Sequence, residues 1–290
     1  MENIFIIDFF TEFFMKKILS VLVVSVMCFG LFAEDIFSYV PLTGGVKTSK
    51  QIDYLISSKF GNYFRTPSSK LVCKYDDFGK EIESVELSEK DEIRTKTISS
   101  YDENGNLKEQ ITYDNKDNLL WNVTTEYKNG LKSDISEFDA DGVLKSKTIF
   151  LYSDGKLIDE TGYETEGALV WKTIYKYNED GTQRAILQYN ADGSLDEEQT
   201  FDYSEDGKIS SIKYYDAFTA SSSKKVFRYD GNGVLTEITT YDNADKVKNR
   251  LVIKHDSIGN VVKMSEYYIA DKFGTTLNEL ISMTEFVYEY

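Results

Sequence analysis

A repeat of about 26 residues runs from near residue 61 almost to the carboxyl end and limits the folds available to this chain. Its anchor is Tyr-Asp or a variant, and successive anchors are separated alternately by 11 or 12 residues and by 14 residues. Self-similarity at such a period is typical of a repeat architecture. The anchors are Tyr75, Leu87, Tyr101, Tyr113, Tyr127, Phe138, Tyr152, Tyr163, Tyr177, Tyr189, Tyr203, Tyr215, Tyr229, Tyr241, His255 and Tyr267.

Most anchors lead directly into turn residues, as in Tyr101-Asp-Glu-Asn-Gly105 and Tyr229-Asp-Gly-Asn-Gly233. Asn and Asp side chains accept hydrogen bonds from backbone N–H groups of a turn, and Gly adopts the positive φ that closes a hairpin. Each anchor therefore ends one strand and opens a turn. The sequence predicts an all-β fold of tandem β-hairpins, with one pair of strands in each unit.

The residue three positions before the anchor is apolar or β-branched in most strands, which indicates one apolar stripe on one face of the sheet. The face that carries the anchor is also partly apolar, so we expect a twisted antiparallel meander that is half-buried on both sides. The stripe comprises Ile98, Thr124, Ile149, Ile174, Thr200, Val226 and Val252 in the longer strands and Ile135, Ile186, Ile212, Ile238 and Met264 in the shorter ones, with Ser84, Gln110 and Glu160 as exceptions.

Sixteen strands exceed the ~10 that a twisted open sheet usually tolerates. We therefore expect the sheet to curl into a spiral or shell-like form. Residues 34–60 are predicted to form an N-terminal cap segment, and residues 61–290 the β-hairpin repeat domain, with a terminal strand over residues 278–290. No helix longer than about two turns is expected after residue 61, because the pattern has no helical period.

The first 33 residues have the layout of a secretory signal peptide: Lys16 and Lys17, an apolar run over residues 18–32, and then Ala33. The run is about 15 residues long, and a spanning helix needs ~20. We expect cleavage after Ala33 and a mature chain without a transmembrane span. Residues 1–14 fit no signal layout, so translation is predicted to start at Met15.

Two alternatives remain for this region, an uncleaved anchor and lipid modification of Cys28. In each case the expected location is outside the cytoplasm: the periplasm, the outer surface or the medium. If Cys28 is removed with the signal, Cys73 is the one cysteine of the mature chain and cannot form an intramolecular disulfide.

Charge and composition argue against several classes of function. The formal net charge of -16 makes nucleic acid an improbable partner, because the chain repels a phosphate backbone. One His and 2 Cys leave little material for a His/Cys metal site or a catalytic triad. We expect no cofactor, no metal site and no catalytic residues.

The acidic turns and the single histidine have structural explanations. Asp139-Ala-Asp141-Gly142 lacks the third ligand and the final Glu of a calcium loop, and turn chemistry accounts for its acids. His255 stands at an anchor position, where a packed ring is favoured over a catalytic base.

Trp121 and Trp171 are the two tryptophans of the chain, and each lies six residues before its anchor. They should project from the same face of the sheet, four strands apart. Packing beneath neighbouring side chains is the simpler interpretation. The alternative, on which we base our site prediction, is that they form an aromatic surface for a glycan or protein partner.

Tyr101-Asp-Glu-Asn-Gly-Asn-Leu107 and Tyr229-Asp-Gly-Asn-Gly-Val-Leu235 resemble the YD repeats of the RHS family, in which such repeats build a β-sheet shell around a carboxyl-terminal cargo, often a toxin. Phe138-Asp-Ala-Asp-Gly-Val-Leu144 and Tyr189-Asn-Ala-Asp-Gly-Ser-Leu195 are similar to MORN-type repeats. The resemblance extends over roughly residues 70–270.

Three hypotheses on function follow. The preferred one is an exported bacterial repeat protein that acts as a binding or structural scaffold at the cell envelope, without catalysis. The second is a shell or immunity-like accessory of a polymorphic toxin system, as the RHS resemblance would imply. The third is a glycan-active enzyme that uses dispersed carboxylates.

Overall fold

The computed structural model describes residues 40–59, 62–272 and 274–290, and all of the regular elements in these ranges are β-strands. The predicted signal region, Met15 and Cys28 lie outside the described residues. The strands are β1 Thr48–Lys59, β2 Asn62–Tyr75, β3 Glu81–Ser88, β4 Ile93–Tyr101, β5 Leu107–Asp114, β6 Leu119–Lys128, β7 Leu131–Asp139, β8 Leu144–Ser153, β9 Lys156–Glu164, β10 Leu169–Tyr177, β11 Gln183–Asn190, β12 Leu195–Tyr203, β13 Ile209–Asp216, β14 Ser221–Tyr229, β15 Leu235–Tyr241, β16 Val247–His255, β17 Val261–Lys272 and β18 Thr275–Glu289.

The strands form one closed antiparallel barrel. Each strand pairs with the next, and β1 also pairs with β18 from Thr48↔Glu289 to Leu55↔Ser282. The all-β hairpin architecture is confirmed, but the predicted spiral or shell-like sheet is wrong. The difference arises in the segment predicted as a cap, because residues 48–59 form β1 and supply the edge that pairs with β18. Closure gives the backbone groups of both edge strands hydrogen-bond partners.

The turns alternate between the two ends of the barrel. The turns that follow even-numbered strands lie at one end, here called the tyrosine rim, and those that follow odd-numbered strands lie at the opposite rim. In the turn after β4, Asp102 Oδ1 accepts hydrogen bonds from the N–H groups of Asn104 and Asn106 at 2.9 and 2.8 Å. Gly105 has a φ of 80°. The predicted turn chemistry is therefore present.

Because of a β-bulge at the anchor, the anchor side chains of even-numbered and odd-numbered strands point to opposite faces of the sheet. Thr97 pairs directly with Thr112, so their side chains share a face, and both are buried. Tyr101 lies four residues after Thr97 and shares that face, whereas Tyr113 is adjacent to Thr112 and lies on the other. The anchors of even-numbered strands therefore point to the inner wall of the barrel, and those of odd-numbered strands point outward.

This alternation shows that the prediction of one apolar stripe was wrong. Three residues before the anchor, even-numbered strands present outward side chains such as Ile98 and Ile149, and odd-numbered strands present inward ones such as Ile135 and Ile212. Because successive anchors lie on opposite faces, residues that precede two successive anchors by the same number of positions also lie on opposite faces.

The main hydrophobic cluster lies on the inner wall between β13 and β18, towards the tyrosine rim. Val40 packs against it, and the N–H of Thr43 donates a 2.8 Å hydrogen bond to Asn260 Oδ1, so the segment before β1 lies at this rim. Burying each large apolar side chain stabilises the fold by roughly 1.5–3 kcal/mol. The buried members are Ile212, Phe227, Leu235, Ile238, Ile253, Val261, Met264 and Phe286.

Candidate binding site on the inner wall

The inner wall changes in polarity along the barrel axis. Tyr288 occupies the inward anchor position of β18, and its hydroxyl donates a hydrogen bond to the Val261 carbonyl. Two residues before the inward anchors, near the tyrosine rim, five of the strands carry Phe150, Tyr175, Phe201, Phe227 and Phe286. Six residues before the inward anchors, towards the opposite rim, the wall is polar except for two tryptophans. That level comprises Ser69, Thr95, Trp121, Ser146, Trp171, Glu197, Ser223, Asn249 and Ser282.

Both tryptophans predicted as site residues lie on this inner wall and are partly buried. Trp121 in β6 is flanked by Thr112 and Asp139, and Trp171 in β10 is flanked by Gly162 and Asn190. They are four strands apart, and the ladder of paired residues that starts at Trp171 reaches β6 at Thr125, four residues from Trp121. At ~4.8 Å per strand and ~3.3 Å per residue, this is roughly 23 Å along the wall. The structure thus places them on one face, as the sequence indicated. Whether they bind a partner stays a prediction.

Trp171 lies against the backbone of its neighbour, Gly162. A Cβ atom added at Gly162 would be 2.3 Å from Trp171 Nε1 and 2.4 Å from Cε2, closer than atoms in contact can approach. A glycine inside a strand often marks a close approach of this kind. The absence of a side chain at residue 162 therefore lets the indole ring lie along the wall.

The wall beside Trp171 contains residues with a small side chain or none. Thr148 in β8 is 3 % exposed and pairs with the buried Gly162, which pairs in turn with Trp171. On the other side of Thr148 the paired residues are Ile135 in β7 and Thr125 in β6, and Thr125 lies four residues from Trp121. The low part of the wall therefore lies next to Trp171 and does not extend to Trp121.

A partly buried carboxylate lies diagonally beside each tryptophan. Glu137 pairs with Val123, two residues from Trp121, and Glu160 pairs with Thr173, two residues from Trp171. Burial raises the pKa of both carboxyls. Ser146 Oγ donates a 3.1 Å hydrogen bond to Glu137, and the Tyr175 hydroxyl donates one to Glu160. Burial also raises the pKa of Tyr175, so this phenol remains a donor.

Carboxylates on the outer wall have different partners. Asp134 forms an ion pair with Lys147 at 2.9 Å, and Asp159 forms one with Lys172 at 2.5 Å. Glu137 and Glu160 are instead bonded to neutral hydroxyl groups. The inner wall between β7 and β10 consequently combines aromatic surface with carboxylates bonded to hydroxyl groups, and the positive charge of Lys132 also acts on Glu160.

Sequence reasoning did not select Glu137, Glu160 or Gly162, although two of the three left a signal. Glu160 interrupts the predicted apolar stripe, and Gly162 is a glycine inside a strand. Another exception, Gln110, also lies on the inner wall; its Nε2 donates to Ser99 Oγ at 3.3 Å, while its Oε1 is buried without a hydrogen-bond partner.

The structure assigns turn and packing roles to the other residues considered from sequence. Asp139 Oδ1 accepts hydrogen bonds from the N–H groups of Asp141 and Val143 at 3.1 and 2.9 Å, as an Asx turn requires. His255 lies at the tyrosine rim, and its Nε2 is buried without a partner. Across residues 40–59, 62–272 and 274–290, no cluster of three or more His, Cys, Asp and Glu side chains is arranged to hold a metal ion.

Fold and site together define a closed barrel of β-hairpin repeats with an aromatic and acidic inner wall. A family model described as a MORN repeat variant matches residues 94–115, which cover the β4–β5 hairpin. The similarity to MORN-type repeats is thereby confirmed for one unit, while the RHS resemblance stays a prediction. A comparison with curated proteins gives no match.

Several solved structures show low similarity to this chain. A porin-like protein from Bacteroides uniformis is 13% identical with a TM-score of 0.48, covering 86% of this chain and 99% of that one. A porin-like protein from Bacteroides vulgatus is 12% identical with a TM-score of 0.40, covering 74% and 100%. The TcdB2-TccC3-TEV complex is 12% identical with a TM-score of 0.36, covering 79% and 14%. In the part of this chain that the structure describes, no helix has the length and apolar character needed to cross a membrane.

Proposed function

We propose that this chain is an exported, non-catalytic binding scaffold of the bacterial cell envelope, and that its partner contacts the inner wall at Trp121 and Trp171. One observation carries the proposal. Six residues before the inward anchors, the wall bears Ser, Thr, Asn or Glu in every even-numbered strand except β6 and β10, which carry the two tryptophans. Tryptophans that served only to fill a core would be expected among apolar neighbours. Aromatic rings on a polar wall supply contact area for a ligand.

Barrel size and charge limit the kind of partner. Barrels of about this strand number enclose space that their own side chains do not fill. The segment around Val40 packs at the tyrosine rim, so the opposite rim, nearer the tryptophans, is the proposed entrance. The net charge of -16 disfavours anionic partners, including nucleic acid. A chain-like glycan or an extended protein segment fits these conditions.

A double variant, Trp121→Ala with Trp171→Ala, tests the binding role. Wild-type and variant proteins are immobilised, exposed to the solubilised envelope of the source cells, and compared for retained glycan and protein. We expect the variant to keep its fold and lose the retained component, and Trp121→Phe with Trp171→Phe to retain most of it. Unchanged retention by the alanine variant would contradict the proposal. So would a loss of ~3–5 kcal/mol of stability, the usual cost of truncating a core aromatic residue.

Export is tested separately. The basic residues Lys16 and Lys17, the apolar run and Ala33 support an exported protein that begins at Glu34. Cell fractionation with amino-terminal sequencing should recover that end outside the cytoplasm. A cytoplasmic protein that retains Met1 or Met15 would contradict this part of the proposal.

A further inference from the structure

We infer that the ligand of the inner wall is a neutral oligosaccharide, bound across β6 to β10 with sugar rings stacked on Trp121 and Trp171. The inference rests on the proposed function and adds the chemical class of the ligand. It draws on three features of this wall: the position of the Trp171 ring, the small residues beside it together with the distance to Trp121, and the neutral donors bonded to the carboxylates.

The first feature is the indole of Trp171 lying along the wall. Because Gly162 has no Cβ, Trp171 Nε1 and Cε2 occupy positions 2.3 and 2.4 Å from where that atom would be. One edge or face of the ring therefore rests on backbone, and the rest of the ring is partly exposed. The apolar C–H face of a pyranose ring packs against such an aromatic surface.

The second feature is the low wall beside Trp171 and the distance from there to Trp121. Thr148 carries a small side chain and Gly162 carries none, so the wall is lower there than at Trp171. The tryptophans are four strands apart, and the ladder of paired residues from Trp171 reaches β6 at Thr125, four residues from Trp121. At ~4.8 Å per strand and ~3.3 Å per residue, the separation along the wall is roughly 23 Å. A ligand that contacts both rings must therefore be a chain of several units, and a monosaccharide is too short.

The third feature is the chemistry of the acceptors. Sugar hydroxyl groups donate hydrogen bonds, and hydrogen bonds to a carboxylate are stronger than those between neutral groups. Glu137 and Glu160 accept hydrogen bonds from Ser146 and Tyr175, and although the charge of Lys132 acts on Glu160, burial keeps the pKa of both carboxyls raised. An anionic sugar would be repelled. A basic peptide is the competing ligand, but removing its cations from water costs more than burying sugar hydroxyls on this partly desolvated wall.

The two tryptophans allow a direct binding measurement because the chain contains only these 2 Trp residues. The exported chain is titrated with maltohexaose, cellohexaose and chitohexaose as neutral probes, with hexalysine as a basic probe, and with hexagalacturonate as an acidic probe. We expect a saturable change in tryptophan fluorescence with at least one neutral hexasaccharide and none with hexagalacturonate.

Gly162→Ala provides a sharp variant because it keeps both tryptophans and displaces one of them. The new Cβ atom collides with Trp171, so the indole must tilt away from the wall. We expect the affinity for the neutral probe to fall about tenfold, equivalent to ~1.4 kcal/mol. Gly231→Ala is the matched control, since a Cβ atom there meets nothing within 4 Å. Trp171→Ala should cause at least the same loss if Gly162→Ala is poorly folded.

The results separate this inference from the proposed function. The oligosaccharide inference would be overturned if the protein bound hexalysine but no neutral hexasaccharide. If Trp171→Ala also abolished hexalysine binding, the inner-wall binding role would remain intact. Sugar binding that is unchanged in both Gly162→Ala and Trp171→Ala would overturn the assignment to this wall. If no probe binds and the tryptophan double variant still retains its envelope component, both proposals fail.

Discussion

The Tyr229 hydroxyl donates a 3.0 Å hydrogen bond to the backbone carbonyl of Ile209, twenty residues earlier. Its ring crosses the inner wall at the tyrosine rim and connects one hairpin to the preceding one. The same bond recurs with the same sequence separation at Tyr101, Tyr127, Tyr177 and Tyr203. The recurring inward tyrosine therefore links successive units, while the turn chemistry closes each unit separately.

Tyr177→Phe should lower the free energy of unfolding by about 1 kcal/mol. The variant keeps the ring but removes the donor of the 2.7 Å hydrogen bond to the Leu157 carbonyl, and a typical hydrogen bond contributes about that much. Urea denaturation followed by circular dichroism measures the change. Tyr163→Phe, at an outward anchor, is the control and should change stability by less than half as much. Equal effects at the two sites would contradict the linking role.

His255→Tyr should stabilise the barrel by roughly 1 kcal/mol. His255 occupies an inward anchor position, and its buried Nε2 lacks a hydrogen-bond partner. A tyrosine there can place its hydroxyl near the Leu235 carbonyl, as the neighbouring units do, and it removes an unsatisfied polar atom. Urea denaturation at pH 8, where histidine is neutral, measures the effect. His255→Phe removes the unsatisfied nitrogen without adding a hydroxyl group, so it separates that effect from the gain of the new hydrogen bond. A His255→Tyr variant less stable than the wild type would contradict the prediction.

The stability of the wild-type protein should fall with pH around the ordinary pKa of histidine, in part because of His255. Burial lowers the pKa of His255, although Asp230 and Asp256 oppose the shift. A lowered pKa means that the unfolded chain binds the proton more tightly than the folded chain does. Neutral His255 therefore contributes to the free energy of unfolding above pH ~6.5, the ordinary pKa of histidine, and this contribution is lost as pH falls through the folded-state pKa. Unfolding free energies at pH 7.5 and pH 5 should differ less in His255→Phe than in the wild type. An identical difference would exclude this residue as a cause.

Glu160→Gln should stabilise the protein at pH 7 but have little effect near pH 4. Burial raises the pKa of Glu160, although the Tyr175 hydrogen bond lowers it. A raised carboxyl pKa contributes stability below the unfolded value of ~4.3, and this contribution is lost as pH rises through the folded-state pKa. Thermal unfolding across this pH range measures the difference between variant and wild type.

Glu237→Gln is the matched control for Glu160→Gln and should have the opposite sign at pH 7. Burial acts to raise the pKa of Glu237, but hydrogen bonds from Arg250 and Thr239 hold it below its usual value. Neutralising this carboxyl removes a favourable charge interaction. If both variants change stability in the same direction at neutral pH, the difference between a phenol partner at Glu160 and a guanidinium partner at Glu237 does not decide the sign.

Asp53→Ala should destabilise the barrel by about 1–3 kcal/mol, the cost of leaving buried donors without an acceptor. Asp53 accepts hydrogen bonds from Thr284 at 2.8 Å and from Ser69 at 3.1 Å, so one side chain connects β18, β1 and β2 at the closure. Urea denaturation tests this. Asp77→Ala removes an exposed ion-pair partner of Lys47 and should cost less stability than Asp53→Ala, because water screens the exposed pair. A loss at Asp53 no larger than that at Asp77 would show that the closure does not depend on this contact.

The sequence by itself determined the local structure of this protein. The spacing from Tyr101 to Tyr113 and the Asp and Gly residues of each turn predicted the hairpins, because a turn depends on the φ preferences and hydrogen bonds of a few adjacent residues. The common face of Trp121 and Trp171 also followed, since both lie six residues before anchors of the same kind of strand.

Only the tertiary structure decided what depends on pairing between distant strands. The closure joins Thr48 to Glu289, and no local pattern encodes contact between residues so far apart in sequence. The bulges at most anchors place successive anchors on opposite walls, so three residues before its anchor Ile98 points outward and Ile135 points inward. Glu160 and Gly162 became site residues only when closure created an inner wall and register placed them beside Trp171 and Thr173.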